Sequence, residues 1–167
     1  PTSSVTFPLN GAFLASTPTL SGLTLDPFGA NGAGIKTVRI TLKRLDTNFY
    51  WNQLVSTWTA AVAQSTAAYQ LATNSWSFDA NVSTLAWQDG LTYSLDVYSE
   101  DKAVGSANGN TEVPAAPITF TYDARLPAVA VVVPASAPVR QTLGTPSTMS
   151  GTASAAAPNS INKVEVR

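Results

Sequence analysis

Three short blocks of this sequence occur twice in the same order, and this internal repeat constrains the fold more than any other feature. In each copy of the first block two prolines enclose six residues, and the copies begin about 126 residues apart, at Pro1 and Pro127. The paired blocks are residues 1–8 with 127–134, 19–22 with 148–151, and 35–40 with 161–166. Because self-similarity at a fixed period marks a repeated folding unit, we expect a complete domain at residues 1–126 and the N-terminal part of a second, incomplete copy at 127–167.

Alternation of apolar and polar residues predicts that the first copy is built from β-strands. In residues 38–43, for example, Val38, Ile40 and Leu42 alternate with charged or hydroxyl side chains. This period of two is that of a half-buried strand, and turns rich in glycine and asparagine separate the successive runs. The sequence predicts strands at residues 3–7, 19–25, 35–45, 49–51, 68–72, 75–79, 91–99 and 116–122, one of the short ones being irregular. We therefore expect an all-β Greek-key sandwich, or a barrel, with about seven strands, no long helix and a bulge at Gly22.

The composition excludes several classes of function. The chain contains no histidine and no cysteine, so it lacks the usual activated nucleophiles, the usual zinc ligands and any disulfide, and we expect it not to be an enzyme. Its formal net charge is −1 with no basic run, which argues against binding to nucleic acid or to an anionic membrane surface. The longest apolar run, residues 128–135, is too short to span a bilayer.

Oxygen-bearing side chains near the end of the 91–99 strand raise the question of a calcium site. Glu100, Asp101, Asn108 and Asn110 lie on one predicted loop, and Asp123 lies at the junction with the second copy. Carboxylate and amide oxygens are the ligands that Ca²⁺ prefers, and an ion between domains would stiffen a stalk. The other interpretation is that Asn, Asp and Gly simply form turns here. The sequence predicts no other cofactor.

Four tryptophans also admit two interpretations. Aromatic rings stack on the apolar faces of sugars, which makes Trp51 and Trp58 candidates for a carbohydrate-binding surface. Alternatively, Trp76 and one tryptophan of the 49–58 region fill the core between two sheets, as large apolar side chains do in a sandwich of this size.

Several short motifs, taken in order, resemble the bacterial Ig-like repeats found in tandem in large surface-exposed or secreted proteins. The motifs are Tyr-Trp-Asn at residues 50–52, Ser-Gly-Thr-Ala at 150–153 and Lys-Val-Glu-Val at 163–166. The chain departs from the family's pattern at Gln53, where the family has glycine, and in a longer 101–110 loop. The resemblance implies an Ig-like sandwich with an extracellular stalk or adhesion role and no catalytic residues.

We therefore expect a non-catalytic structural or adhesive repeat of a bacterial extracellular or cell-surface protein. The alternatives are a carbohydrate-binding module of a secreted enzyme and a filament subunit that assembles by strand complementation. Other repeats of the same protein are the expected partners. A segment as short as 127–167 buries too little apolar area to fold alone, so we expect strand pairing with another chain, giving a homo-oligomer, or packing elsewhere to hold it.

Overall fold

The computed structural model describes residues 1–16, 19–27, 32–80, 85–103, 109–133, 150–155 and 160–165. The chain divides into two compact units, Pro1–Ala124 and Arg125–Arg167. The internal repeat predicts this boundary after Leu126.

The first unit is built almost wholly from strands. In chain order they are β1 Thr2–Phe7, β2 Ala12–Leu14, β3 Thr19–Leu25, β4 Ile35–Arg44, β5 Tyr50–Asn52, β6 Thr57–Thr59, β7 Ser65–Gln70, β8 Ser75–Asp79, β9 Thr92–Asp101 and β10 Ile118–Tyr122. The 3₁₀ turn Leu71–Thr73 joins β7 to β8.

The strands form two layers that share one corner strand. One layer has the order β1-β3-β8-β7 and the other has the order β4-β9-β10-β2, with the β5–β6 hairpin beside β4. Strand β7 links the layers, because Ala67 pairs with Val38 of β4 while Ala68 pairs with Ser77 of β8. All pairings are antiparallel except that of β2 with β10, which is parallel. The prediction of an all-β sandwich is confirmed.

The period-two pattern explains how the layers bury a common core. In β4 the alternating side chains of Val38, Ile40 and Leu42 are buried, and β9 buries Tyr93 and Leu95 opposite them. The facing layer contributes Leu20, Trp76 and Phe78 to the same core. Burying a large apolar side chain stabilises the fold by about 1.5–3 kcal/mol.

The alternation of apolar and polar residues does not predict two short strands, and it predicts a third strand at shifted bounds. Neither β2 nor β6 was expected, and β7 occupies residues 65–70 rather than 68–72, since residues 71–73 form the 3₁₀ turn. A three-residue strand shows no measurable alternation. It forms because a distant strand pairs with it, and β2 lies against β10 more than 100 residues away.

The predicted bulge lies opposite Gly22 rather than at it. Val5 pairs with Gly22 and Phe7 pairs with Ser21, so Thr6 of β1 is the extra residue. Gly22 meets a different requirement, because a Cβ atom there would overlap the Ser4 carbonyl oxygen on one side and the Trp76 indole on the other. The residue is glycine because two neighbouring strands approach too closely for a side chain.

The second unit contains one antiparallel pair, β11 Ala128–Val133 with β12 Ser150–Ser154. Residues 160–165 form no regular structure, although their sequence repeats that of β4. Strand β4 is held by ladders to β7 and β9. Within the described part of the second unit no counterpart of those two strands is paired, which explains the difference.

Candidate functional site

The aromatic residues singled out from the sequence meet in one cluster around Tyr93. The β5–β6 hairpin places Trp58 with its ring centroid 5.8 Å from that of Tyr93, and Trp51 packs edge-on against Trp58 at 5.7 Å. Trp87, just before β9, lies 4.6 Å from Tyr93 on its other side. Burial raises the pKa of the Tyr93 phenol. Edge-on and offset arrangements of this kind are those that aromatic pairs prefer.

Trp51 is a core residue, and the prediction that its ring stacks on a sugar is corrected. Only 2% of its surface is exposed, so neither ring face is open to a ligand. Of the four tryptophans, Trp76 and Trp51 are the fully buried ones, as the alternative interpretation expected. Within the described residues the Trp51 Nε1 is buried without a hydrogen-bond acceptor.

Trp58 is half-buried and is also held on several sides. Its Nε1 donates to the Leu85 carbonyl oxygen at 2.9 Å, and the Arg44 guanidinium lies over its ring at 5.8 Å. The Trp87 Nε1 donates in the same way to the Ala80 carbonyl oxygen at 2.9 Å. These bonds anchor loops to the core, so the cluster acts first as a structural element. Sugar binding through Trp58 stays a prediction.

The five predicted calcium ligands are not brought to one place. Glu100 lies on β9 and pairs with Arg39 at 3.2 Å and with Lys36 at 3.9 Å. Asp123 lies beyond the other end of β9, because the neighbouring Tyr122 donates its N–H to the Leu91 carbonyl oxygen at 3.0 Å. Asn108 lies outside the described residues. Among the residues that the structure describes, no three acidic side chains converge in a way suited to a metal ion.

Asp101 and Asn110 do meet, and together they close the loop after β9. The Asp101 carboxylate accepts hydrogen bonds from the Asn110 N–H at 2.8 Å, the Asn110 Nδ2 at 2.9 Å and the Ala103 N–H at 2.9 Å. These donors, the Asn110 backbone N–H foremost, hold the pKa of the Asp101 carboxyl below its usual value. The geometry is that of a side chain ordering a turn. Calcium binding at this loop stays a prediction.

The lowered pKa of Asp101 predicts how the loop responds to acid. An unfolded aspartate has a pKa of about 3.9, so the ionised Asp101 stabilises the fold above that pH, and its contribution is lost as the pH falls through the lower folded value. We expect Asp101→Asn to lower the Tm at pH 7, and the difference from the parent to shrink below about pH 4. Thermal unfolding followed by circular dichroism across this range measures both.

Asp96 provides a control for which the expected change in Tm at pH 7 has the opposite sign. Burial raises the pKa of its carboxyl, so its ionised form is disfavoured in the folded chain. Asp96→Asn is therefore expected to raise the Tm at pH 7 and to have little effect at low pH. If Asp101→Asn and Asp96→Asn changed the Tm at pH 7 in the same direction, the result would contradict the hydrogen bonds assigned to the Asp101 carboxylate.

One polar cluster was not foreseen, and it joins the two layers. The Glu112 carboxylate accepts from the Ser3 N–H at 2.6 Å and from the Ser99 N–H at 3.0 Å. The hydroxyls of Ser3, Thr24 and Ser99 are linked at 2.9–3.1 Å. Thr24 and Ser99 continue the inward-facing series of β3 and β9, which is a signal in the sequence. Nothing in the sequence points to Glu112, which reaches them from the following loop.

No protein-family model, curated protein or solved structure gives a match to this chain. The described residues contain no helix long and apolar enough to cross a membrane. Its strand topology and ring contacts define the protein as an all-β sandwich with an aromatic cluster around Tyr93.

Proposed function

We propose that this protein is a non-catalytic structural repeat of a bacterial extracellular or cell-surface protein, and that it carries tension along a tandem array. The observation that carries the proposal is the parallel pairing of β2 with β10, which are the first and the last strands, in chain order, of the layer that contains them. The low fraction of charged residues, 11%, and the resemblance to Ig-like repeats support the extracellular location.

The chain enters the first unit at one end of the sandwich and leaves it at the other. Near the start, the Ser3 Oγ lies 3.0 Å from the Ser99 Oγ, close to the C-terminal end of β9. Near the finish, the Tyr122 N–H donates to the Leu91 carbonyl oxygen, at the N-terminal end of β9. Ser99 lies eight residues beyond Leu91, so these points are separated by about 26 Å of extended chain. A unit with its ends so placed suits a chain of repeats joined in series.

Pulling on such ends loads the β2–β10 pair in shear. Force reaches β2 from its N-terminal side and β10 from its C-terminal side, and in a parallel pair these points lie at opposite ends of the ladder. The connecting bonds include Gly11 N–H to the Thr119 carbonyl oxygen at 2.7 Å and Asp123 N–H to the Leu14 carbonyl oxygen at 2.9 Å. Because the ladder slides rather than unzips, these bonds must break together, which resists force better than breaking them singly.

The strand order gives independent support to the Ig-like interpretation. With the β5–β6 hairpin and the short strand β2 set aside, seven main strands remain: one layer contains the first, second, fifth and fourth of them, and the other contains the third, sixth and seventh. This is the arrangement of an immunoglobulin constant-type sandwich.

Single-molecule pulling on a concatemer of this chain, with matched proline variants, tests the proposal. Phe13→Pro removes an N–H donor from the middle of β2, which costs about 1–3 kcal/mol and corresponds to roughly a 5- to 150-fold faster unfolding rate under load. Thr57→Pro places the same change in β6, which pairs only with β5 and lies outside the path of force.

We expect Phe13→Pro to lower the unfolding force and Thr57→Pro to leave it near that of the parent, even where chemical denaturation shows that both lose stability. Equal loss of force in both variants would show that tension does not pass through β2 and β10, and the load-bearing function would be rejected.

A further inference from the structure

The β11–β12 pair of the second unit reproduces the β1–β3 pair of the first, residue for residue. Both pairs are antiparallel, and both carry one extra residue at the same point of the ladder. The equivalent pairs are Val5–Gly22 with Val131–Gly151, and Phe7–Ser21 with Val133–Ser150. The two strand pairs are therefore equivalent in register, and the strand that pairs with β3 in the first unit indicates what would pair with β12 in the second.

In the first unit the absence of a side chain at Gly22 of β3 leaves space for the indole of Trp76, on β8, to reach across β3 to β1. Trp76 of β8 pairs with Gly22, and its Nε1 donates to the Ser4 carbonyl oxygen on β1, at 3.0 Å. A Cβ atom at Gly22 would overlap both partners of this bond. The glycine, the carbonyl oxygen and the indole thus form one recognition unit that spans three strands.

The second unit has the first two parts of this arrangement. Gly151 takes the place of Gly22, and a Cβ atom there would overlap the Ala130 carbonyl oxygen, the counterpart of that of Ser4. Within the described residues β12 pairs with β11 alone and is exposed along its whole length. Val131 is 69% exposed, whereas its counterpart Val5 packs against the core.

We propose that β12 receives on its other edge a tryptophan-bearing strand of the β8 type, the counterpart in the second copy of Ser75–Asp79. The strand runs antiparallel to β12, with its tryptophan opposite Gly151 and its indole N–H donating to the Ala130 carbonyl oxygen. Strand addition supplies backbone hydrogen bonds to any extended segment. The space left by the absent side chain of Gly151, together with the Ala130 carbonyl oxygen as acceptor, favours an indole. A phenylalanine would fill this space but leave the carbonyl oxygen without a donor. This inference rests on the repeat character of the proposed function.

The test extends the full chain by a flexible linker and a segment copying residues 73–80, which contains the sequence of β8. A short tether gives an effective concentration in the millimolar range, so a weak contact becomes measurable. Amide hydrogen exchange of residues 150–154 is compared in three proteins: the extended chain, the same protein with the added segment's tryptophan replaced by alanine, and the extended chain carrying Gly151→Val.

We expect exchange at β12 to slow at least about tenfold in the extended chain only, which corresponds to about 1.4 kcal/mol. Equal protection with the alanine segment would show that the tryptophan is not recognised, and absence of protection would show that β12 takes no such strand. If exchange at β12 of the unextended chain slowed as the protein concentration rose, the occupant would be the β11–β12 pair of a second copy. Each of these three results overturns the inference. None of them affects the pulling experiment, which depends on β2 and β10 of the first unit.

Discussion

Gly22→Val is expected to destabilise the first unit by about 3–4 kcal/mol, the sum of overpacking between two strands and the loss of one part-buried hydrogen bond. The new side chain would overlap the Ser4 carbonyl oxygen and the Trp76 indole, and the indole has no room to yield because Trp76 is 1% exposed. Urea denaturation followed by tryptophan fluorescence measures the change in the free energy of unfolding.

Two variants serve as controls for this prediction. Ser21→Val changes the neighbouring residue of the same strand, and its side chain points to the opposite face, so we expect a change within about 1 kcal/mol. Gly151→Val makes the same substitution at the equivalent position of the second unit and is expected to leave the unfolding of the first unit unaltered. A loss below about 1 kcal/mol for Gly22→Val would contradict the close approach of β1, β3 and β8.

Trp51→Ala is expected to cost about 3–5 kcal/mol, because it leaves a large cavity under the β5–β6 hairpin. The ring is 2% exposed and packs against Trp58 at 5.7 Å. Trp51→Phe should cost only about 1 kcal/mol, since it keeps most of the ring volume and removes an N–H that has no acceptor among the described residues.

The comparison with Trp76 makes the test specific. Trp76→Phe also keeps most of the ring, but it removes the bond to the Ser4 carbonyl oxygen, so we expect a loss about 1 kcal/mol larger than for Trp51→Phe. Equilibrium unfolding of the three variants beside the parent gives these differences directly. Equal losses for the two phenylalanine variants would show that the two indole N–H groups are in equivalent surroundings.

The long strands were predictable because each buries one face along its own length. The predicted strands 35–45 and 91–99 correspond to β4 Ile35–Arg44 and β9 Thr92–Asp101, which form the centre of the sheet. Strands β2 and β6 were not predictable, because three residues carry no periodicity and their stability comes from the strands beside them.

The candidate sites were less predictable than the strands. Nothing local distinguishes Trp51, which faces the core, from Trp58, which faces partly outward, since both lie in short strands of one hairpin. The proximity of Asp101 to Asn110 followed from their places on one loop. The separation of Asp123 from that loop did not, because it depends on the direction in which β10 runs beside β9. Glu112 had no signal in the sequence at all.

By itself, the sequence determined the all-β class, the positions of the long strands and the recurrence of three blocks in the same order. These follow from side-chain periodicity and self-similarity, which are local properties of the chain. Only the tertiary structure decided that β2 runs parallel to β10, that Trp76 passes over Gly22, and that the β11–β12 ladder has the register and extra residue of β1–β3. Each of these depends on contacts between residues far apart in the chain, where the pairing energy is set by shape and hydrogen-bond geometry rather than by the pattern of any one segment.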